Sequence, residues 1–423
     1  MTGRLERVDA EKADQDSPLA HTRERFRVPD GVIYLDGNSL GALPAGVPAR
    51  VAQVIEQEWG AGLIGSWNAL PQGGGDWMGL SSRVAARIAP LVGVRPEDVH
   101  VGDSTSVSLF KTMVAAARSQ PERRVIVLEP TTFPTDGYVA SGVAELLDVE
   151  LRWCDPADPV AAVDDDVALL ALTHVDFRTG AMYDLPAVTA AAQERGALVQ
   201  WDLCHSAGAV PVGLEAADAD LAVGCSYKYL NGGPGAPAFT WVNPRLQDRL
   251  RQPITGWMGH RSPFTMARDY DAADGIGGWA SGTHAVLSLS ALDAALEAFD
   301  GVTVPQLRAA SLSLTDLFIA LVDDRCAERW PELELVTPRD HARRGSQVSL
   351  RHPQAYGVVQ ALIARGVIGD YREDGDRDGI ARFGFTPLYL RHVDVHDAVE
   401  HLEAVLAGQE YADPAYSSRN AVT

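Results

Sequence analysis

Short apolar runs alternate with helix-like stretches through the middle of the chain. Residues 125–129, 151–154, 167–175, 197–203 and 221–226 are apolar along nearly their whole length, while 135–147 and 185–195 have helical spacing. Strands buried on both faces read as unbroken apolar runs, and helices between them cover a mostly parallel sheet. Upstream, Val47, Val51, Val54, Ile55 and Glu58 recur at helical spacing. All but the glutamate are apolar, which predicts a helix over 45–59 with one buried face. Residues 63–79 are rich in Gly and contain Trp67 and Trp77. They read as a packed surface loop or as an aromatic wall over a pocket. A long helix is predicted over 287–299. Beyond residue 304, helical runs at 307–322, 356–365 and 395–407 alternate with strands at 333–336, 347–351 and 380–385. The expected organisation is a large α/β domain at 31–303 and a small α+β domain at 304–423. A polar leader, residues 1–30, is expected to join the small domain, and the tail beyond residue 408 to fray.

Candidate chemistry collects at the strand ends. Thr132, Phe133, Pro134, Asp136, Thr173, Asp202, His205 and Lys228 all fall at or just past the C-terminal ends of predicted strands. In an open α/β sheet that edge is where ligands bind. Asp202 ends one strand and Lys228 follows the next. A lysine and a carboxylate so placed suit pyridoxal phosphate (PLP): the amine attaches the cofactor, and the carboxylate keeps the pyridine nitrogen protonated so that the ring can act as an electron sink. Residues 100–108 place a cluster of Ser and Thr just before a predicted helix at 109–118. Such a start is either an ordinary N-cap or a phosphate cradle built on free N–H groups and the helix dipole.

Composition narrows the field. The 423 residues carry 36 basic and 57 acidic side chains, a formal charge of -21, which argues against nucleic acid or an anionic membrane as partner. An anionic ligand must then be held by local donors. No apolar run approaches the roughly 18 residues of a membrane span, and the N-terminus lacks the apolar core of a signal peptide. Cys154, Cys204, Cys225 and Cys326 show no metal-binding spacing and read as reduced thiols of a cytoplasmic protein. No metal is expected. His392 and His396 are four apart but lack the other ligands of a zinc site, and read as a solvated helix end. The run at 231–235 lacks the Gly-Lys-Ser/Thr ending of a P-loop. It reads as backbone passing close to a cofactor or a partner subunit.

Five segments then carry a resemblance: Tyr34-Leu-Asp-Gly-Asn-Ser-Leu-Gly41, Phe133-Pro-Thr-Asp136, Asp202-Leu-Cys-His205, Cys225-Ser-Tyr-Lys-Tyr-Leu-Asn-Gly-Gly233 and Gly256-Trp-Met-Gly-His260. In this order they resemble kynureninase, of the aminotransferase class V branch of the fold-type I PLP enzymes. The resemblance implies an α/β fold with a seven-stranded, mostly parallel sheet, and a PLP-dependent hydrolysis of L-kynurenine or its 3-hydroxy form to anthranilate or 3-hydroxyanthranilate plus L-alanine. It implies a homodimer serving tryptophan catabolism and NAD biosynthesis.

The resemblance also implies roles for particular residues. Lys228 would hold the cofactor and move the α-proton, Asp202 would pair with the pyridine nitrogen, and Asp136 would be a second carboxylate beside it. Phe133 would stack on the ring, with Pro134 and Thr135 following it at the cofactor. Thr105 and Ser106 would bind the phosphate, Thr173 would lie near the ring, and His205 would support Asp202 or the cofactor. Tyr227 would reach the phosphate and shuttle a proton. Trp257 and Thr283 would come from the second subunit to the phosphate region. Arg382 would take the substrate α-carboxylate, a match for a planar guanidinium, with an ion pair to a protein carboxylate as the other reading. Ser39 and Trp67 would line the substrate site. Other readings are a cysteine desulfurase or aminotransferase of the same branch, or a non-catalytic binding protein on this scaffold. A desulfurase needs a cysteine on a mobile loop, which Cys204, Cys225 and Cys326 do not offer.

Overall fold

The apolar runs become strands of one seven-stranded sheet in the computed structural model, which describes residues 6–417 and 419. These runs are buried except in the edge strand Glu150–Trp153, where Trp153 is 50% exposed. The strands are β1 (Val99–Val101), β2 (Val125–Leu128), β3 (Glu150–Trp153), β4 (Val167–Thr173), β5 (Leu198–Asp202), β6 (Leu221–Gly224) and β7 (Phe239–Val242), in the spatial order 1-7-6-5-4-2-3. Neighbours among β2 to β6 pair in parallel, and β7 runs antiparallel to both β1 and β6. Every residue of β2, β4, β5 and β6 is buried, which is why these strands read as unbroken apolar runs. Side chains alternate between two cores: Val127, Leu170 and Val199 face one, Ile126, Leu169 and Leu198 the other. The β4–β5 register sets Thr173 opposite Asp202. The sheet pattern thus brings two predicted site residues side by side.

The helix expected over 45–59 departs from the prediction. It is α-helical over Val47–Gln53 and then widens into a π-helical segment, Val54–Gly62, followed by a 3-10 turn at Leu63–Trp67. Ile55 is 43% exposed, while Glu58 is buried. The glutamate is held inside by Arg50 at 2.6 Å and by the Trp77 indole N–H at 2.7 Å. A paired charge takes the place expected for an apolar side chain, and the widened turn carries Ile55 outward. Among the elements before residue 304 that lie outside the pattern prediction is the strand β1. Others are the helix Leu80–Val92 and β7, whose short sequence is masked by the Gly/Pro-rich segment before it.

The C-terminal part builds an antiparallel sheet from β8 (Glu334–Leu335), β9 (Gln347–Arg351), β10 (Asp370–Asp374) and β11 (Arg377–Gly384), in the order 10-11-9-8. Helices Val304–Val322, Ala355–Ala364 and His392–Gly408 accompany it. β10 is charged and was not predicted. Its pairing opposes Asp370 to Arg382. Asp370 and Arg372, two apart, share that face of the strand.

The leader contains a helix, Arg7–Gln15, lying along His392–Gly408. Asp14 Oδ1 accepts the His392 backbone N–H at 2.6 Å and meets His392 Nδ1 at 2.9 Å. His392 and His396 are only 8% and 2% exposed, so the expected solvated helix end is corrected. Their partners, Asp14 and, for His396, Arg325 at 2.7 Å, are distant in sequence and gave no local signal. Tyr411 and Tyr416 pack against the core, so the described tail folds back rather than fraying. Residues 1–5, 418 and 420–423 of the leader and tail lie outside the described residues. The four cysteines are free. Among the described residues no helix is long and apolar enough to cross a membrane.

Candidate active site

Lys228 sits in a tight turn just after β6. Asn231 N–H donates to the Lys228 carbonyl at 2.9 Å, Gly232 N–H to the Ser226 carbonyl at 2.8 Å, and Asn231 takes a left-handed φ of 58°. The 34–41 motif packs directly on this turn: Gly41 N–H donates to the Tyr227 carbonyl at 2.8 Å. A Cβ at Gly41 would overlap the Lys228 carbonyl and the Asn231 side chain. Only glycine lets the two loops approach this closely.

The turn faces a cavity lined by Thr105, Ser106, Phe133, Thr135, Asp136, Thr173, Phe177, Asp202, Cys204, His205, Tyr227 and Lys228. Three strand ends and two helix starts meet here. Thr105 opens the helix Thr105–Ser119 behind its N-cap Ser104. Pro134 sits at the first position of the helix Pro134–Leu147, where its missing N–H costs nothing. Thr105, Ser106 and Thr135 therefore place hydroxyls beside two helix N-termini, a donor set suited to an anion.

The charged groups constrain one another. Lys228 Nζ lies 3.0 Å from His205 Nε2, 5.7 Å from the Phe133 ring centre and 5.8 Å from that of Tyr227. Burial, then the charges of Lys228 and Arg382, hold the His205 pKa well below its ordinary value, so the ring is neutral. Asp202 Oδ1 accepts the Cys204 backbone N–H at 2.6 Å. Burial, and then the neighbouring Asp202, raise Asp136 well above the usual carboxylate range. Asp136 therefore favours its protonated form beside Asp202. Burial pushes the Tyr227 phenol up, so it keeps its proton. Thr173 and Thr132 share a hydroxyl hydrogen bond of 2.8 Å. A lysine, an acid pair, an exposed aromatic face at Phe133 and an anion cradle fit PLP in their donor chemistry.

Arg382 and Ser39 stand in a neighbouring cluster. Arg382 is 2% exposed. Its Nε donates to Asp370 Oδ1 at 2.6 Å, its Nη2 to Asp370 Oδ2 and, at 3.1 Å, to Ser39 Oγ, and its Nη1 to the Phe177 carbonyl. The ion pair with a protein carboxylate is thus present. Phe177 links the two groups, 5.2 Å from Phe133 and 5.9 Å from the Arg382 guanidinium. The remaining expected site residues lie away from this cavity. Trp67 packs edge-on against Trp77 at 5.7 Å. Trp257, 37% exposed, donates to the exposed Thr283 hydroxyl at 3.3 Å and stacks edge-on with Phe264. Phe177 and Asp370 were missed by sequence reading. Phe177 lies just beyond a strand end, the same signal that marked Thr173.

Comparison with known proteins follows the same line. Residues 307–402 match the family model described as the kynureninase C-terminal domain. Kynureninases of Burkholderia mallei and Pseudomonas fluorescens are 51% and 50% identical to this chain, each across 99% of both chains. Among solved structures, apo cysteine desulfurase of Thermococcus onnurineus superposes with a TM-score of 0.77 at 16% identity, covering 92% of this chain and 98% of its own. An Escherichia coli cysteine desulfurase gives 0.77 at 18% identity with the same coverage. The structural likeness shows the class V PLP-enzyme fold, and the full-length identity places the chain in the kynureninase family.

Proposed function

We propose that this chain hydrolyses L-kynurenine to anthranilate and L-alanine with PLP held in the Lys228 cavity. The observation that carries the reading is the meeting of Lys228, His205, Asp202 and Asp136 at one cavity in a chain of this family. Bound there, PLP supplies an electron sink for the negative charge that develops on the substrate. Thr105, Ser106 and Thr135 bind its phosphate, Phe133 covers one ring face, and Asp202 holds the proton of the pyridine nitrogen. Lys228 Nζ anchors the cofactor and moves the substrate α-proton, and neutral His205 orients it. Tyr227 Oη holds a proton within the cavity, available where water attacks the γ-carbonyl. Arg382 and Ser39 receive the α-carboxylate, and Phe177 ties that site to the ring site.

The reading extends to a homodimer in which Trp257 and Thr283 of one copy serve the phosphate region of the other. Their exposure on this chain supports it. Trp67 lines the aryl side. The large domain spans 31–303 and the small one 304–423, with the leader on the small domain. The enzyme works in the cytoplasm in tryptophan catabolism, upstream of NAD biosynthesis, and takes 3-hydroxykynurenine as a second substrate. The desulfurase reading gains nothing from the fold, because its cysteine requirement is not met: Cys326 is fully buried, and Cys204 and Cys225 pack on each other. The test is release of fluorescent anthranilate from L-kynurenine by the PLP-loaded protein. A loaded protein that releases none would overturn the proposal.

A further inference from the structure

The Arg382 cluster holds more charge than an arginine and its partner. Asp370 is fully buried and takes Arg382 in a two-point grip. Arg372, on the same face of β10, meets Asp370 Oδ2 from another side at 2.9 Å. Ser39 Oγ donates to the same oxygen at 2.6 Å. Asp36 completes the group: its Oδ1 is buried without a hydrogen-bond partner, and burial, then the charge of Asp370, push its pKa up to about 7. Two fixed cations thus face one firm anion and one that is half protonated near neutrality. Tyr34, Tyr229 and Tyr389 around them are all raised by burial and uncharged, and His205 is neutral. The cluster has positive charge to spare, which a carboxylate ligand would neutralise.

Donor counting points the same way. A guanidinium has five N–H groups; Asp370 takes two, Ser39 one and Phe177 one, so one on Nη1 is left. Asp370 cannot leave Arg382 without stranding a buried charge. Arg372 removes that difficulty, because it stays on Asp370 when a ligand draws charge from Arg382.

We propose that Asp370 and Arg372 are the positioning pair of Arg382: Asp370 fixes the plane of the guanidinium, and Arg372 holds Asp370 so that Arg382 can share its charge with the α-carboxylate of an amino-acid substrate. The inference rests on the reading of Arg382 given above. The test uses the PLP-loaded full-length enzyme and three substitutions, Asp370→Asn, Arg372→Gln and Arg382→Gln. KM and kcat for L-kynurenine are read together with the calorimetric dissociation constant of L-alanine.

Asp370→Asn raises KM and the alanine dissociation constant about tenfold or more while kcat falls much less, and Asp370→Glu recovers part of the loss. Arg372→Gln raises both by about threefold to tenfold. If Arg382→Gln weakens both but Asp370→Asn and Arg372→Gln leave them within about twofold, the positioning role is wrong and the Arg382 reading stands. If Arg382→Gln leaves both unchanged, the underlying reading fails. Should Asp370→Asn not fold, Arg372→Gln decides alone, since its side chain is 31% exposed and its removal strands less charge.

Discussion

Nζ of Lys228 and Nε2 of His205 are 3.0 Å apart, and the imidazole is uncharged at neutral pH. The ring therefore meets the amine without bringing a charge of its own into the cavity. It also holds a flexible side chain over the Phe133 face. Lys228→Ala removes the anchoring amine and leaves the phosphate donors in place. The expected outcome is turnover down by about 1,000-fold or more, with the cofactor still bound but no longer attached. Absorbance of the purified variant and a kynurenine assay check both halves; a variant retaining the wild-type rate would sink the assignment.

The acid pair gives an asymmetric prediction. Burial and the neighbouring Asp202 favour a protonated Asp136, so an amide in its place preserves size and neutrality. Asp136→Asn should cost about tenfold or less in kcat/KM. Asp202→Asn removes the negative charge that would face the cofactor nitrogen, and should cost about 100-fold or more. Steady-state kinetics on both variants at saturating cofactor make the comparison. Equal losses would mean that the proton is not held as the burial of Asp136 requires.

The cavity was legible in the sequence wherever its signal is local. Asp202 ends one apolar strand and Lys228 follows the next, and Thr105 and Pro134 open helices. Such positions follow from the period of the chain and from cap chemistry. The Arg382 cluster was half legible. An arginine in an apolar strand demands a partner, but Asp370 lies on a charged strand that propensity hides, and Ser39 is 343 residues away in sequence. Arg7–Gln15 was missed as a helix because its face is acidic and basic rather than apolar. It is docked through Asp14 at the end of a distant helix. Long-range ion pairing leaves no periodic trace, so sequence reading recovers the sheet edge and loses the charged contacts between segments.

A buried acid behind the cavity makes stability depend on pH. Glu129 Oε1 accepts the Thr173 N–H at 3.2 Å, and Oε2 accepts the Tyr183 hydroxyl at 2.7 Å. Burial pushes its pKa from 4.5 up to about 7, with Asp176 adding to the effect and Tyr183 opposing it. The folded state thus binds the proton more tightly than the unfolded chain. Its stabilisation is complete below about pH 4.5 and is lost as pH rises through about 7. Glu129→Gln keeps a neutral acceptor and removes the titration. The variant should be more stable than the wild type at pH 8, by the order of 1–3 kcal/mol, and show no such gain at pH 5. Urea melts at the two pH values measure it; a constant difference across both would refute the burial argument.

Gly41 couples the fold to the lysine turn, and its smallest substitution tests that coupling. The amide of Gly41 is bonded to the Tyr227 carbonyl, and a methyl group there would run into the Lys228 carbonyl and the backbone and side chain of Asn231. None of these is the free end of a flexible chain: the carbonyl accepts Asn231 N–H, and Asn231 Nδ2 donates to the Tyr229 carbonyl at 2.9 Å. Relief must therefore come from moving the turn that carries Lys228. Gly41→Ala should lose about 1–3 kcal/mol of stability, as overpacking does. It should also lower kcat by about tenfold or more, because a shift near 1 Å at the reacting group is costly. Thermal melting and kinetics on the same preparation separate the two effects. A variant that melts early yet turns over normally would show that the 34–41 loop yields instead, leaving Lys228 where it was.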